Sequence, residues 1–244
     1  MSDTPGPAPS RPLHLIISCE HGGARVPPRY RPLFAGHEAL LATHRGSDFG
    51  ALALARQMAA AFDAPLFAST TTRLLVDLNR SVGHPHLHSE ATRDLPRAER
   101  RAMVQAYYRP HRDRIETAVR EVATRGGCVL HLASHSFTPE LHGELRDADV
   151  GLLYDPSRAG ERAFAKRWMR SLRVAAPELR VRLNYPYAGK SDGLTKLLRR
   201  TWPPERYVGI ELEVNQRFVR RGGPAWPALR ESLIRSLGTT LAEA

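Results

Sequence analysis

The stretch Leu13-His14-Leu15-Ile16-Ile17-Ser18, followed by Cys19 and the turn Glu20-His21-Gly22-Gly23, decides the fold. A short, nearly continuous apolar run is what a strand buried on both faces requires. Such strands belong to largely parallel sheets covered by helices. The run ends in a glycine-rich turn that carries an acid and an imidazole. In open α/β sheets, binding sites gather where strands end and loops begin, so chemistry is expected at this turn. Pro27 and Pro28 then break any regular structure.

Moving outward, short apolar runs alternate with longer amphipathic segments. A helix is expected to begin at Ser47 as its N-cap, with Leu52, Leu54, Ala55, Met58 and Ala59 at helical spacing. Arg73-Leu74-Leu75-Val76-Asp77 reads as a strand. Residues 98–123 read as a long charged helix interrupted near Pro110. Cys128-Val129-Leu130-His131-Leu132-Ala133 is a strand that runs into Ser134-His135-Ser136. Val150-Gly151-Leu152-Leu153-Tyr154 is another, followed by a helix over 160–175. Val208-Gly209-Ile210-Glu211-Leu212-Glu213-Val214 is a late strand, and 226–241 a closing helix. Strands separated by helices predict an α/β sandwich with a largely parallel sheet. Residues 1–12 read as a disordered leader, and 13–244 as one domain without internal repeat or linker.

At 244 residues, with 42% hydrophobic and 25% charged side chains, the chain has the composition of an ordinary globular protein. It is long enough to bury a core without disulfides. Its two cysteines, Cys19 and Cys128, lie in apolar runs, which points to a reducing cytoplasm. No apolar run approaches the roughly 20 residues that cross a bilayer. The leader has no apolar segment of the secretory kind. The formal net charge of +11 raises nucleic acid as a partner. The arginines are scattered, however, and no aromatic-and-basic stripe accompanies them. A solvated basic surface is the better reading, and a nucleic-acid-binding protein the weaker alternative.

The chemistry-bearing residues collect at the strand ends. His21 and His135 each close a strand, and two imidazoles with one carboxylate make up a usual catalytic zinc site with one position open to water. His37, His44, His84, His86, His88, His111, His131 and His142 read as surface residues or supports. Glu211 and Glu213 lie two apart in a strand, so they share a face opposite Ile210, Leu212 and Val214. Carboxylates in a core strand are costly unless a cation or proton meets them. Arg73 and Arg80 flank one apolar stretch, with Asn79 beside the second. A guanidinium matches a carboxylate with two parallel hydrogen bonds.

In order along the chain, Cys19-Glu20-His21-Gly22-Gly23, Ser47-Asp48-Phe49-Gly50-Ala51, residues 73–80, Ser134-His135-Ser136, Asn184-Tyr185-Pro186-Tyr187-Ala188-Gly189 and residues 211–215 resemble the N-formylglutamate amidohydrolases. The series spans nearly everything after the leader. The resemblance implies a three-layer sandwich like that of zinc carboxypeptidases and aspartoacylases, with a mixed central sheet and helices on both faces. It implies that Asp77-Leu78-Asn79-Arg80 holds a substrate carboxylate and that Arg73 assists the polarised carbonyl. Those relatives carry His-x-x-Glu as a first metal motif. Here Gly22, Gly23 and Ala24 follow His21, so the expected Glu is absent.

Cell-wall amidases of similar fold place an acidic ligand later, at the next helix. By that likeness the ligands of Zn2+, or of another divalent metal, are His21, Asp48 and His135, with Glu20 as the alternative carboxylate. The late strand then supplies the catalytic acid–base, Glu213, with Glu211 as second choice. Asn184, Tyr187 and Lys190 are expected on a loop that closes over the substrate. The activity implied is hydrolysis of an N-formyl or N-acyl amino acid such as N-formyl-L-glutamate. Another acidic amide or peptide is the alternative substrate.

Overall fold

The computed structural model describes residues 13–243; the expected leader lies outside them. Six strands form the central sheet in the order β2-β1-β3-β8-β6-β7. They are β1 (Leu13–Cys19), β2 (Leu66–Ala68), β3 (Cys128–Phe137), β6 (Val150–Leu153), β7 (Val181–Leu183) and β8 (Tyr207–Asn215). A separate two-stranded antiparallel hairpin consists of β4 (Glu140–Leu141) and β5 (Glu144–Leu145). Every pairing in the large sheet is parallel except that of β6 with β8.

Helices cover both faces. On one side α2 (Ala51–Ala61), α5 (Ala159–Ala175) and α8 (Ala225–Ala242) pack Leu54, Met58, Trp168, Leu172 and Leu233 against Ile17, Leu130, Leu132, Ile210 and Leu212. On the other, α4 (Arg109–Thr124) and α6 (Leu194–Thr201) pack Ile115, Val119 and Leu198 against Ile16, Val129 and Tyr207. Adjacent residues of one strand, Ile16 and Ile17 or Val129 and Leu130, thus enter different halves of the core. That explains why these strands read as unbroken apolar runs. The same alternation sends Glu211 and Glu213 to the α4/α6 face, because Ile210, Leu212 and Val214 take the other.

Between β2 and β3 the chain forms a lobe of short pieces. It includes α3 (Arg97–Met103), a turn of π-helix at Val104–Tyr108, and then α4. Pro110 sits in the first turn of α4, where its missing N–H costs nothing. The expected interruption is therefore the π-helical turn before it. Before the lobe lie a 3-10 turn, Pro28–Phe34, and α1 (Glu38–Leu41); late in the chain α7 (Arg217–Arg221) precedes α8.

Three expectations are corrected. Residues 73–77 form no strand. Leu74 and Leu75 pack with Tyr30, Phe34 and Met103, while Val76 and Leu78 pack with Leu87, Val104 and Tyr108. The apolar run feeds two small clusters instead of a ladder. The strand beside β1 is β2, three residues long after Pro65, too short for a periodic signal. Ser47 does not cap α2: the helix starts at Ala51, and Gly50 occupies the cap position at φ 81°, a left-handed conformation suited to glycine.

Gly151, in β6, is required by a close approach. A Cβ there would collide with the Tyr185 carbonyl oxygen, which is backbone and cannot swing aside. Gly151→Ala is expected to destabilise the fold by about 1–3 kcal/mol; a fall in melting temperature by thermal denaturation checks this.

Candidate active site

Three neighbouring strands, β1, β3 and β8, run parallel and end on one rim. Glu20 and His21 follow β1 directly. His135 lies near the end of β3, and the β3–β8 register sets Glu213 beside it. Asp48 arrives from the turn before α2, held by its backbone N–H on the His21 carbonyl at 2.9 Å. The turn after His21 lies against the chain that follows β2: a Cβ on Gly22 would stand 2.8 Å from the Ser69 carbonyl oxygen, and one on Gly23 equally close to that of Thr70. The paired glycines allow this approach and so fix where His21 emerges.

His21 Nδ1 is 3.4 Å and His135 Nδ1 2.9 Å from the same Asp48 Oδ2. One ligand atom from each of the three side chains lies within 4.8 Å of the others, and all three residues are buried. The remaining ring nitrogens have partners of their own. His21 Nε2 is 2.8 Å from Asp77 Oδ1, and His135 Nε2 is 3.2 Å from Glu20 Oε2. Arg73 ties the carboxylates together, donating to Asp77 at 2.7 Å and to Asp48 at 3.3 Å. Two imidazoles and one carboxylate, each braced from behind by another polar group, are a donor set that fits a divalent cation.

Charge is strongly managed here. Burial opposes ionisation of Asp48, yet the His21 and His135 imidazoles and Arg73 hold its carboxyl well below the usual range. Burial likewise opposes ionisation of Asp77, and Arg73 with His21 overrides it. Glu213 behaves in the opposite sense. Burial, with Asp48 and Glu211 nearby, pushes its carboxyl up to about 8, and its Oε2 is buried without a hydrogen-bond partner. A carboxyl balanced between its two forms near neutral pH is suited to taking up and giving back a proton.

These groups line a cavity of about 230 Å³ together with Asn79, Arg80, Ser136, Tyr187, Asp192 and Glu211. A larger hollow, about 560 Å³, lies between the 82–88 loop and α3; arginines, His84, His88, Gln105 and apolar side chains line it, and it contains no carboxylate. The smaller cavity is the one that holds the His21–Asp48–His135 cluster and Glu213.

The cavity brings together His21, Asp48, Arg73, Asn79, Arg80, His135, Tyr187 and Glu213 from the sequence reading. Asn79 has Nδ2 3.5 Å from His135 Nε2, and its Oδ1 accepts from the Leu194 N–H at 2.8 Å. Arg80 donates to the Asp192 carbonyl at 3.0 Å, and its own carbonyl accepts from Tyr108 and Arg112. Tyr187 is 44% exposed at the mouth, with the Arg146 guanidinium 5.1 Å from its ring centroid.

Asn184 and Lys190 are not among the lining residues. The Asn184 Oδ1 instead accepts from the Tyr154 and Gly189 N–H groups, shaping the loop, and Lys190 is exposed. Glu20, the alternative ligand, stands behind His135, on the ring nitrogen facing away from Asp48. Sequence reading missed Asp192, which accepts from the Ser81 N–H and hydroxyl across 111 residues of chain. Nothing local signals such a contact. His131 and His111, set aside with the other histidines, are both buried. His131 lies between Tyr207 and Ser18, and burial depresses its pKa to about 4, so it is neutral.

Comparison with known proteins extends this picture. The family model described as N-formylglutamate amidohydrolase matches residues 13–220. A gene product of Agrobacterium tumefaciens of known structure is similar at 29% identity and TM-score 0.77, over 94% of this chain and 90% of that one. An N-formylglutamate amidohydrolase from Ralstonia eutropha is similar at 21% identity and TM-score 0.71, over 95% and 94%. No curated protein sequence matches.

The raised pKa of Glu213 has a measurable consequence in metal-free protein. Its folded value, about 8, exceeds its ordinary value of 4.5, so the native state favours the protonated form. Its contribution to stability is therefore whole below about pH 4.5 and is lost as pH rises through 8. Glu213→Gln is expected to match wild type near pH 4 and to melt higher at pH 8, by on the order of a few kcal/mol. Melting curves across that range read the difference; equal melting temperatures at pH 8 would contradict the assignment.

Proposed function

The chain belongs to the N-formylglutamate amidohydrolase family, and from that premise we propose that it is a divalent-metal-dependent amidohydrolase acting on N-formyl or small N-acyl derivatives of acidic amino acids, N-formyl-L-glutamate first among them. The observation that carries the reading is the convergence of His21, Asp48 and His135 on one point, in the same cavity as Glu213 and two guanidiniums.

In this proposal the ion, zinc by preference for two imidazoles and a carboxylate, would be held by His21, Asp48 and His135. When bound, such an ion supplies a Lewis acid that polarises a carbonyl and makes water a competent nucleophile near neutral pH. Glu213 takes a proton from the attacking water at its unpartnered Oε2 and delivers it to the leaving amine nitrogen. Products are formate, or the corresponding acid, and the free amino acid. Arg73, anchored on Asp77 and Asp48, keeps its positive charge facing the cavity where negative charge grows on the carbonyl oxygen. Arg80 and Asn79 hold a substrate carboxylate and so orient the amide.

The clamp is rigid because its backbone is braced. The Arg112 guanidinium donates to the carbonyls of Leu78 and Arg80 at 2.7 and 3.0 Å, and Leu78 is buried. Cys19 and Cys128 form no disulfide, and a reducing cytoplasm as the place of action is part of the proposal. Among the described residues no helix is long and apolar enough to cross a membrane.

The test is metal quantification on purified protein joined to a screen of N-formyl and N-acyl amino acids. About one divalent ion per chain is expected, with hydrolysis lost on chelation and restored by zinc. His135→Ala should lose both ion and activity; full activity without metal would defeat the proposal. Arg80→Ala should raise KM for acidic substrates roughly 10- to 100-fold, the range for losing a charge-assisted pair, with a smaller effect on kcat. Unchanged steady-state constants would dismiss the clamp.

A further inference from the structure

Glu20 has no part in those steps. It does not line the cavity, and its side chain is 0% exposed. Neither carboxylate oxygen accepts a well-aligned hydrogen bond among the described residues, though imidazole nitrogens stand within reach of both. Two imidazoles face them: His135 Nε2 at 3.2 Å from Oε2, and His111 Nε2 at 3.5 Å from Oε1. A carboxylate stripped of water persists only where donors or positive charge meet it. This one sits between a side chain of the active site and a buried histidine of α4.

Its use follows from the chemistry of the imidazole ring. A neutral imidazole has one N–H and one lone pair, and the partner of one nitrogen fixes the role of the other. For His135 to turn a lone pair on Nδ1 toward the point shared with Asp48 and His21, its proton must reside on Nε2. A buried N–H needs an acceptor. The groups near Nε2 are the Asn79 amide and Glu20. Asn79 accepts the Leu194 N–H through Oδ1 and so presents its NH2 to the ring. An NH2 cannot accept that proton, so with Nε2 protonated the group placed to take it is Glu20, whose Oε2 is 3.2 Å away. His21 shows the same pattern, with Nε2 on Asp77 and Nδ1 toward Asp48. Asp77 is itself held by Arg73, and His111 plays the corresponding part for Glu20.

We propose that Glu20, backed by His111, is a positioning residue that locks His135 in the tautomer with Nδ1 free and thereby sets the affinity of the site for its divalent cation. The inference rests on the metal-dependent reading above.

The experiment titrates zinc into the metal-free full-length chain against a chromophoric chelator, for wild type, Glu20→Leu, Glu20→Gln and His111→Gln. Glu20→Leu should weaken zinc binding about 10- to 100-fold, as losses behind a metal ligand do. Glu20→Gln, which keeps a neutral acceptor oxygen, should lose less, and His111→Gln less again. In zinc-loaded protein the His135 Nε2 proton should give a downfield, exchange-protected NMR resonance that moves upfield in Glu20→Gln. A cooperatively melting Glu20→Leu that binds zinc within twofold of wild type overturns the proposal. If Glu20→Leu does not fold, an unmoved Nε2 proton and unchanged affinity in Glu20→Gln overturn it equally. A wild-type chain that binds no zinc overturns the metal-dependent function and this inference together; equal binding by wild type and variants overturns this inference alone.

Discussion

One carboxylate oxygen, Asp48 Oδ2, faces the Nδ1 atoms of both His21 and His135. Almost everything else near the site exists to keep those three atoms where they are. The glycine turn lets His21 leave β1 against the 69–70 backbone, and the His21 carbonyl in turn holds the Asp48 N–H. Ser134, one residue before His135 in sequence, points to the other face of the sheet and donates to the Ala51 carbonyl at the start of α2. The strand that carries His135 is thereby tied to the start of the helix that follows the Asp48 turn.

Negative charge is the second constraint. Glu20, Asp48, Asp77 and Glu213 are all buried around one small cavity. Left alone, such a group would be severely destabilising. Asp48 and Asp77 are met by Arg73, Glu20 by two imidazoles. Glu213, with one oxygen unpartnered, is instead pushed toward its protonated form. What separates Glu213 from the other three acids is that no fixed donor meets its Oε2.

Much of the fold was legible in the sequence because its main signals are long and periodic. The strands β1, β3 and β8 carry unbroken apolar runs, and α5 and α8 span several turns. What escaped was set by distant contacts. Residues 73–77 have a strand's composition but spend it on two satellite clusters beneath α3 and the π-helical turn after it. The three residues of β2 take their place from pairing with β1, not from a pattern of their own. At the site, strand ends and the pairing of Glu211 with Glu213 gave the face and the rim. The partners of the imidazoles were hidden, because Glu20 meets His111 and Asp192 meets Ser81 only once the lobe has folded onto the sheet.

The brace of Arg112 and Tyr108 on the 78–80 backbone divides the site between two supports. In the proposed enzyme, the candidate metal-holding and proton-transferring groups come from the strand ends and the turn before α2, whereas the 78–80 segment proposed to grip the substrate carboxylate hangs from the irregular lobe. On that reading, substitutions in the lobe would alter how the substrate carboxylate is gripped while leaving the strand-borne groups in place.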